Sequence, residues 1–298
     1  MSELVDRYFP VLDHGFIALV DYMGSDASVE RAARVSYGKG TRSKSKTRGL
    51  IRYLMRHRHT TPFEMVEFCF HVSMPIFVAR QWVRHRTANL NEYSGRYSVM
   101  PDAFYVPEEA RLRKQSQTNN QGSANEVVDG AADIQKIMEE QQNQSYNNYN
   151  NFLDKDVARE VARINLPLSN YTQWYWKIDL HNLLHFLSLR MDPHSQWEIR
   201  QYAIIMAEIV KDIVPLSIEA WEDYVLNAVR LTRGDIDRHF RYYPGDTTKM
   251  SKREKTEFED KLHFCRHGDW QEIGNIRNRE YHSPEEAELR LYPEKDNE

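Results

Sequence analysis

Residues 64–86 read EMVEFCFHVSMPIFVARQWVRHR, and they set a strand and a helix end to end. From Glu64 to Ser73 the chain alternates with period two: Val66, Phe68, Phe70 and Val72 share one face, and Glu67, Cys69 and His71 the other. Successive side chains of a strand point to opposite faces, so the pattern predicts a strand with one buried face. Pro75 has the preset φ of a first helical residue and opens the predicted helix PIFVARQWVRHR. On that helix Gln81, Arg84 and His85 fall within one turn and can face one ligand.

The helix runs into RHRTANLNEYSGRYS, residues 84–98, which gathers three arginines, a histidine, a glutamate and two serines within fifteen residues. A guanidinium fork meets a phosphate or carboxylate with two parallel hydrogen bonds, whereas an ammonium offers only a point charge. The stretch therefore reads as an anion-binding surface, with a phosphorylated ligand as first inference and Gly95 supplying backbone freedom in the loop. A solvated charged face is the competing reading.

Upstream, the apolar segment GFIALVDYM (15–23) ends in a Gly24-Ser25-Asp26 turn, and Ser28 reads as the N-cap of a helix SVERAARVSY. Residues 39–48 are basic and rich in Gly, Ser and Thr, as in an exposed loop. Leu50, Ile51, Leu54 and Met55 make the apolar stripe of a helix that Pro62 should stop. Downstream, 111–125 has almost no large apolar residue and reads as an inserted, poorly ordered loop. Ile134, Ile137, Met138, Tyr146 and Tyr149 predict a long helix over 129–152, and a second helix spans Asp156 to just before Pro167. Within YTQWYWKIDLHNLLHFLSLR (171–190), the helical half places Leu180, Leu183, Leu184 and Leu187 on one core-facing side. Asp192-Pro193 then reads as N-cap and first residue of a helix reaching Ile213. Charge is dense after 232, so 1–231 reads as the main domain and 232–298 as a charged, partly helical C-terminal extension with a frayed acidic end.

At 298 residues and 41% hydrophobic, the chain can bury a sizeable core. A net charge of −4 provides no global field for nucleic acid, so no nucleic-acid partner is expected. Cys69 and Cys265 form neither a disulfide framework nor a CxxC pair, which suits a reducing cytoplasm. MSELVDRYFP lacks a leader's basic and apolar regions, and no apolar run approaches the ~20 residues that span a bilayer. A soluble, cytoplasmic protein without membrane attachment is the expectation.

Three polar clusters fall at element ends: His57 to Glu64, Gln81 to Ser98, and Asp179 to Glu198 with Arg163 upstream. His181 and His185 have the i, i+4 spacing of two zinc ligands. Asn182 stands where HExxH carries its glutamate, and no third ligand is indicated, so no metal is expected. Neutral imidazoles touching a ligand, or satisfying hydrogen bonds at the core edge, remain alternatives. Cys69 lies in the strand alternation and Cys265 in the charged extension, so both are poor nucleophiles. Ser94 is not in a GxSxG elbow. Trp82, Tyr93, Tyr97, Trp174 and Trp176 can stack on a heteroaromatic ring or simply fill core. With no GxGxxG and no GxxxxGK[ST], a nucleotide would have to be held by the arginine cluster. A non-catalytic nucleotide-binding module and a zinc hydrolase using His181 and His185 are the readings from other classes.

Arg84-His85-Arg86, Asn91-Glu92, Ser94 and Arg96 closely resemble the RHRxxSxNExSxR signature of the flavin-dependent thymidylate synthases. GFIALVDYMG, ERAARVSY, HTTPFE, PIFVARQW, EVARINLPL and LRMDPHSQWEIRQYA resemble that family's blocks in order, over about residues 15 to 225. The signature's first serine is Asn89 here. The resemblance implies an α+β fold, a central, largely antiparallel sheet flanked by helices. It implies a methyltransferase making dTMP from dUMP, with methylenetetrahydrofolate as carbon donor, FAD as hydride carrier, NADPH as reductant and no cysteine nucleophile. Carried over by position, Thr61, Arg84, His85, Arg86, Glu92, Asp179, Leu180, His181 and His185 would contact FAD. Gln81, Trp82, Val83, Arg84, Glu92, Tyr93, Ser94, Gly95, Arg96, Arg163 and Arg190 would contact dUMP. Arg190 would stabilise charge on the uracil as its N3 ionises, Ser94 would polarise the pyrimidine, and His59 would border the flavin and folate pocket. A homotetramer with sites shared between subunits is also implied.

Overall fold

The computed structural model describes residues 2–36, 46–117, 120–239, 251–268 and 270–292. Strand β1 (Tyr8–Val11) turns back into β2 (Gly15–Met23), pairing Tyr8 with Ala18. A Cβ at Gly15 would stand 2.8 Å from the Ser73 carbonyl, so the backbones meet too closely for a side chain. Helix α1 (Asp26–Arg34) starts earlier than the sequence suggests: Ser25 is the N-cap, and its N–H donates to Ser28 Oγ at 3.2 Å. Ser28 thus occupies the third helical position. The reason lies far along the chain, because the buried Asp26 carboxylate accepts from Leu216 N at 2.8 Å, Ser217 N at 2.9 Å and Ser217 Oγ at 2.6 Å. Most of the basic loop before helix α2 (Thr47–Arg56) and part of the SVERAARVSY helix, residues 37–45, lie outside the described residues. Helix α2 ends before Pro62 acts. His57 caps it, Arg58 takes a φ of 59°, and Pro62 sits in a separate 3-10 turn over Thr61–Met65.

Strand β3 (Glu67–Pro75) follows the predicted alternation, with Val66, Phe68, Phe70 and Val72 fully buried. Pro75 ends that strand, at ψ 145°, and helix α3 (Ile76–Trp82) begins one residue later and stops before Arg84. The 84–98 stretch, expected as helix end and loop, contains an edge strand, β4 (Asn89–Glu92). The insertion is not loose where described: β5 (Arg113–Gln115) and β6 (Ser123–Val127) form a hairpin, with residues 118–119 outside the described set. Backbone pairing and an ion pair between Lys114 and Glu126 hold it, interactions that a lack of apolar residues does not reveal. Helix α4 (Ala131–Asp154) matches its prediction and buries Tyr146 and Tyr149. The helix expected from Asp156 is shorter, α5 (Arg159–Ala162) continued by a 3-10 turn Arg163–Asn165, because Asp156 takes a φ of 60° and interrupts the chain.

Strand β7 (Tyr171–Asp179) passes directly into α6 (Leu180–Arg190). Asp192 and Pro193 form a turn, with His194 N donating to Asp192 Oδ1 at 2.7 Å, and α7 (Trp197–Ile213) is capped by Gln196 rather than Asp192. Helices α8 (Pro215–Trp221), α9 (Arg233–His239), α10 (Lys252–His267) and α11 (Pro284–Leu289) complete the order. The charged stretch returns to the sheet: Tyr8 and His282 exchange backbone hydrogen bonds at 3.0 and 2.7 Å, and Ile273 and Ile276 enter the main core. Arg279 and Glu208 pair at 2.8 Å beside it. The acidic end, 293–298, lies outside the described residues.

The main sheet has the order β1-β2-β3-β7-β4, every neighbouring pair antiparallel, as the implied α+β architecture requires. Phe70 lies opposite Trp176 and Val72 opposite Trp174, on the face that α3, α6 and α7 cover. Trp82 of α3 is fully buried there, 4.9 Å from Phe186 and edge-on to Trp174 and Trp176 at 5.7 and 5.3 Å. Trp82→Ala should therefore cost about 3–5 kcal/mol through lost contacts and a residual cavity. Its urea-unfolding midpoint should fall accordingly; an unchanged midpoint would contradict this packing.

Candidate active site

Residues 84–98 are positioned by elements on both sides. After α3, Val83 N donates to the Ala79 carbonyl and His85 N to the Trp82 carbonyl, both at 2.9 Å, closing a turn that releases Arg84, His85 and Arg86 from the helix. Gln81 alone of the expected one-turn trio remains helical. Strand β4 then aligns with β7, Asn89 opposite Lys177 and Glu92 opposite Trp174, and Tyr93 N continues the ladder to the Gln173 carbonyl at 2.8 Å. The Ser94–Ser98 turn closes by Tyr97 N and Ser98 N donating to the Ser94 carbonyl at 3.0 and 3.1 Å. Gly95 does not take the left-handed conformation expected of a freedom-giving glycine. It is buried, and a Cβ there would lie 3.1 Å from Arg163 Cδ, so its role is to let Met100 and Arg163 close over it.

Two of the three sequence clusters converge here. Arg190, at the end of α6, donates from Nε to His85 Nε2 at 3.0 Å. His85 also stands edge-on to Phe186 at 4.9 Å and 6.4 Å from the His185 ring. Gln81 donates to Gln196, which sequence reasoning did not single out; its position at the foot of α7 gave no signal. Because His85 Nε2 accepts, its proton sits on Nδ1. Burial, then the Arg190 charge and His185, push the His85 imidazole down to about 4. Desolvation likewise lowers the Arg190 guanidinium from its ordinary value. Among the described residues no carboxylate pairs with Arg84, Arg86, Arg163 or Arg190, the set an anion needs.

Other expected residues are placed differently. The Trp82 indole and the Leu180 side chain are fully buried, so only their backbone can meet a ligand. Asp179 is the N-cap of α6, accepting from Asn182 N at 3.0 Å and Nδ2 at 2.6 Å. Arg96 is paired with Glu160 at 2.9 Å, but both side chains are more than half exposed, so the pair is weak and exchangeable. His59 is exposed; its ring stands 5.8 and 6.4 Å from those of Tyr53 and His57, and its N–H donates to the Leu54 carbonyl at 2.9 Å. Thr61 opens the 3-10 turn that packs on α6. Val83 and Arg84 are exposed, while Tyr93 and Ser94 are half-buried. Among the described residues Ser94 Oγ accepts only from Arg96 N, at 3.4 Å, and no base pairs with it. Trp174 and Trp176 belong to the core, and Tyr97 is exposed. Burial pushes the Cys69 thiol up, which disfavours its thiolate. Among the described residues no group of three His, Cys, Asp or Glu side chains converges on a point that could hold a metal ion.

Fold and site together define an α+β protein in which, among the described residues, Arg84, Arg86, Arg163 and Arg190 have no carboxylate partner. Residues 18–216 match the family model described as thymidylate synthase complementing protein, and the chain belongs to that family. A flavin-dependent thymidylate synthase of Ruegeria pomeroyi is 51% identical over 271 residues, covering 87% of this chain and 89% of its own. One from Gluconobacter oxydans is 51% identical over 266 residues, covering 86% and 88%. The crystal structure of a UMP/dUMP methylase, PolB of Streptomyces cacaoi, bound with 5-Br dUMP, is similar with a TM-score of 0.65 at 35% identity, covering 72% of this chain and 97% of that one.

The depressed His85 value has a definite sign. Its folded-state value of about 4 lies below the ordinary 6.5, so its neutral form contributes fully above about 6.5, and stability is lost as pH falls toward 4. In proton NMR the His85 ring should titrate well below pH 6 and be neutral at pH 7; a midpoint at or above 6.5 would contradict the half-buried Arg190 contact.

Proposed function

We propose that this chain is a flavin-dependent thymidylate synthase, methylating dUMP to dTMP with methylenetetrahydrofolate as carbon donor and NADPH as reductant. The carrying observation is Arg190, held by a neutral, half-buried His85 and without a carboxylate partner among the described residues, in a chain of this family. That donor set fits FAD and a nucleotide: Arg84 and Arg86 are exposed to meet phosphate oxygens, Asp179 caps α6, His181 lies on its first turn, and the His185 ring one turn further on stands 6.4 Å from that of His85. Reduced FAD, when bound, supplies the hydride that the methylation needs.

The chain's own residues bind, orient and stabilise charge. Arg163 closes over Gly95 and, with Arg96, offers cations to the dUMP phosphate. Arg190 is held by a neutral imidazole, which leaves its charge uncompensated and directed at the uracil as N3 loses its proton. Ser94 polarises the ring rather than attacking it, since an unassisted hydroxyl is a weak nucleophile. His59 borders the flavin and folate pocket from the turn after α2. Sites shared between the subunits of a homotetramer are part of the same reading. No helix among the described residues is long and apolar enough to cross a membrane, and both cysteines are free, which supports work in the cytoplasm.

Purified protein should be yellow and release flavin on denaturation; colourless protein that takes up no FAD would overturn the reading. Arg190→Ala should keep FAD and lose dUMP methylation by roughly 100-fold or more, measured as NADPH- and folate-dependent dTMP formation. Full turnover in that variant would remove Arg190 from the reaction.

A further inference from the structure

Glu92 is an exposed carboxylate on an edge strand, yet it is tied to a buried hydroxyl. Thr172 Oγ1, on a residue only 3% exposed, donates to Glu92 Oε1 at 2.8 Å. The register explains the reach. Glu92 lies opposite Trp174, and Thr172 is two residues along β7 on the same face, the diagonal neighbour across an antiparallel pair. On either side the backbone is pinned, by Tyr93 N to the Gln173 carbonyl at 2.8 Å and by Ser73 Oγ to the Thr172 carbonyl at 3.3 Å. Among the described residues no other polar group bonds to the Glu92 carboxylate, so Oε2 stays available.

The core face of β7 is otherwise Trp174, Trp176 and Ile178, where a valine would fill Thr172's volume without a hydroxyl to satisfy. A threonine is stiff at χ1, so its hydroxyl direction is set by the strand backbone. We propose that Thr172 is a positioning residue for the thymidylate synthase reaction: it fixes the Glu92 carboxylate so that Oε2 accepts a hydrogen bond from dUMP. This rests on the function proposed above. Thr172 itself touches no substrate; it removes the rotamer freedom that Glu92 would otherwise lose on binding.

Thr172→Val keeps the shape and deletes the donor, and Thr172→Ser keeps the donor. Calorimetry with dUMP on FAD-loaded protein should give a roughly tenfold higher Kd for Thr172→Val, the effect of one charge-assisted bond, and an unchanged Kd for Thr172→Ser. The melting midpoint of Thr172→Val should move by less than about 3 °C. In a Glu92→Ala background, Thr172→Val should add less than about twofold, because the hydroxyl acts only through Glu92. An unchanged Kd for Thr172→Val, a Thr172→Ser protein as weak as Thr172→Val, or additive losses would overturn the proposal. If the unsubstituted protein binds no dUMP, the functional reading itself fails. The positioning is still decided without ligand: the Glu92 carboxylate carbon signal in 13C NMR should shift in Thr172→Val and stay in Thr172→Ser, and an unmoved signal in Thr172→Val overturns it.

Discussion

The antiparallel pairing of β3 with β7, from Glu67 opposite Asp179 to Pro75 opposite Tyr171, is the constraint on which the rest depends. Its register puts Phe68, Phe70 and Val72 on the same face as Trp174, Trp176 and Ile178. A slip of one residue would turn every one of those side chains to the other face, so burial of the aromatic core enforces the register strongly. Both strands run directly into helices, β3 into α3 and β7 into α6, and the two helix ends that bear Arg84–His85 and Arg190 are set by that pairing. The free edge of β7 accepts β4, which carries Glu92. Core packing and the placement of Arg84, His85, Arg190 and Glu92 are thus consequences of one ladder.

The electrostatics of the site follow from what the core excludes. A half-buried guanidinium usually answers to a carboxylate, because isolated charge is costly away from water. Arg190 answers to an imidazole, and burial beside that guanidinium keeps His85 neutral. Among the described residues Arg190 thus has no carboxylate counter-ion. Arg279, by contrast, is neutralised by Glu208, and Arg48 and Arg52 by Glu219, so these arginines serve the scaffold. Position in sequence does not separate the two kinds; only the partner does.

Much of this was legible in the residues. The period-two run 66–72, the leucine face of α6 and the tyrosines of α4 each reported burial correctly, because a periodic apolar pattern is a direct record of the face that leaves water. Local rules misplaced what distant contacts control. Ser28 gave way to Ser25 as cap because Asp26 is held by Leu216 and Ser217. Gly95 is small to admit Met100 and Arg163, a need created from outside its turn. Strand β4, reading NLNE, has no strand-like alternation of its own and exists because β7 offers an edge.

By itself the sequence determined the element types, the core faces and the family-like set of arginines, histidines and Glu92, since these depend on residue chemistry and on spacing within a few turns of chain. It also marked the cysteines as unsuited to attack; partial burial raises the thiol of half-buried Cys69, whereas Cys265 is exposed. The tertiary structure alone decided which arginines stay unpaired, which aromatic side chains are core, and that His85 meets Arg190 and Glu92 meets Thr172. Those outcomes rest on contacts between residues about eighty to a hundred positions apart. They are created only when the sheet closes, because hydrogen bonding and desolvation act over a few ångströms of space whatever the separation along the chain.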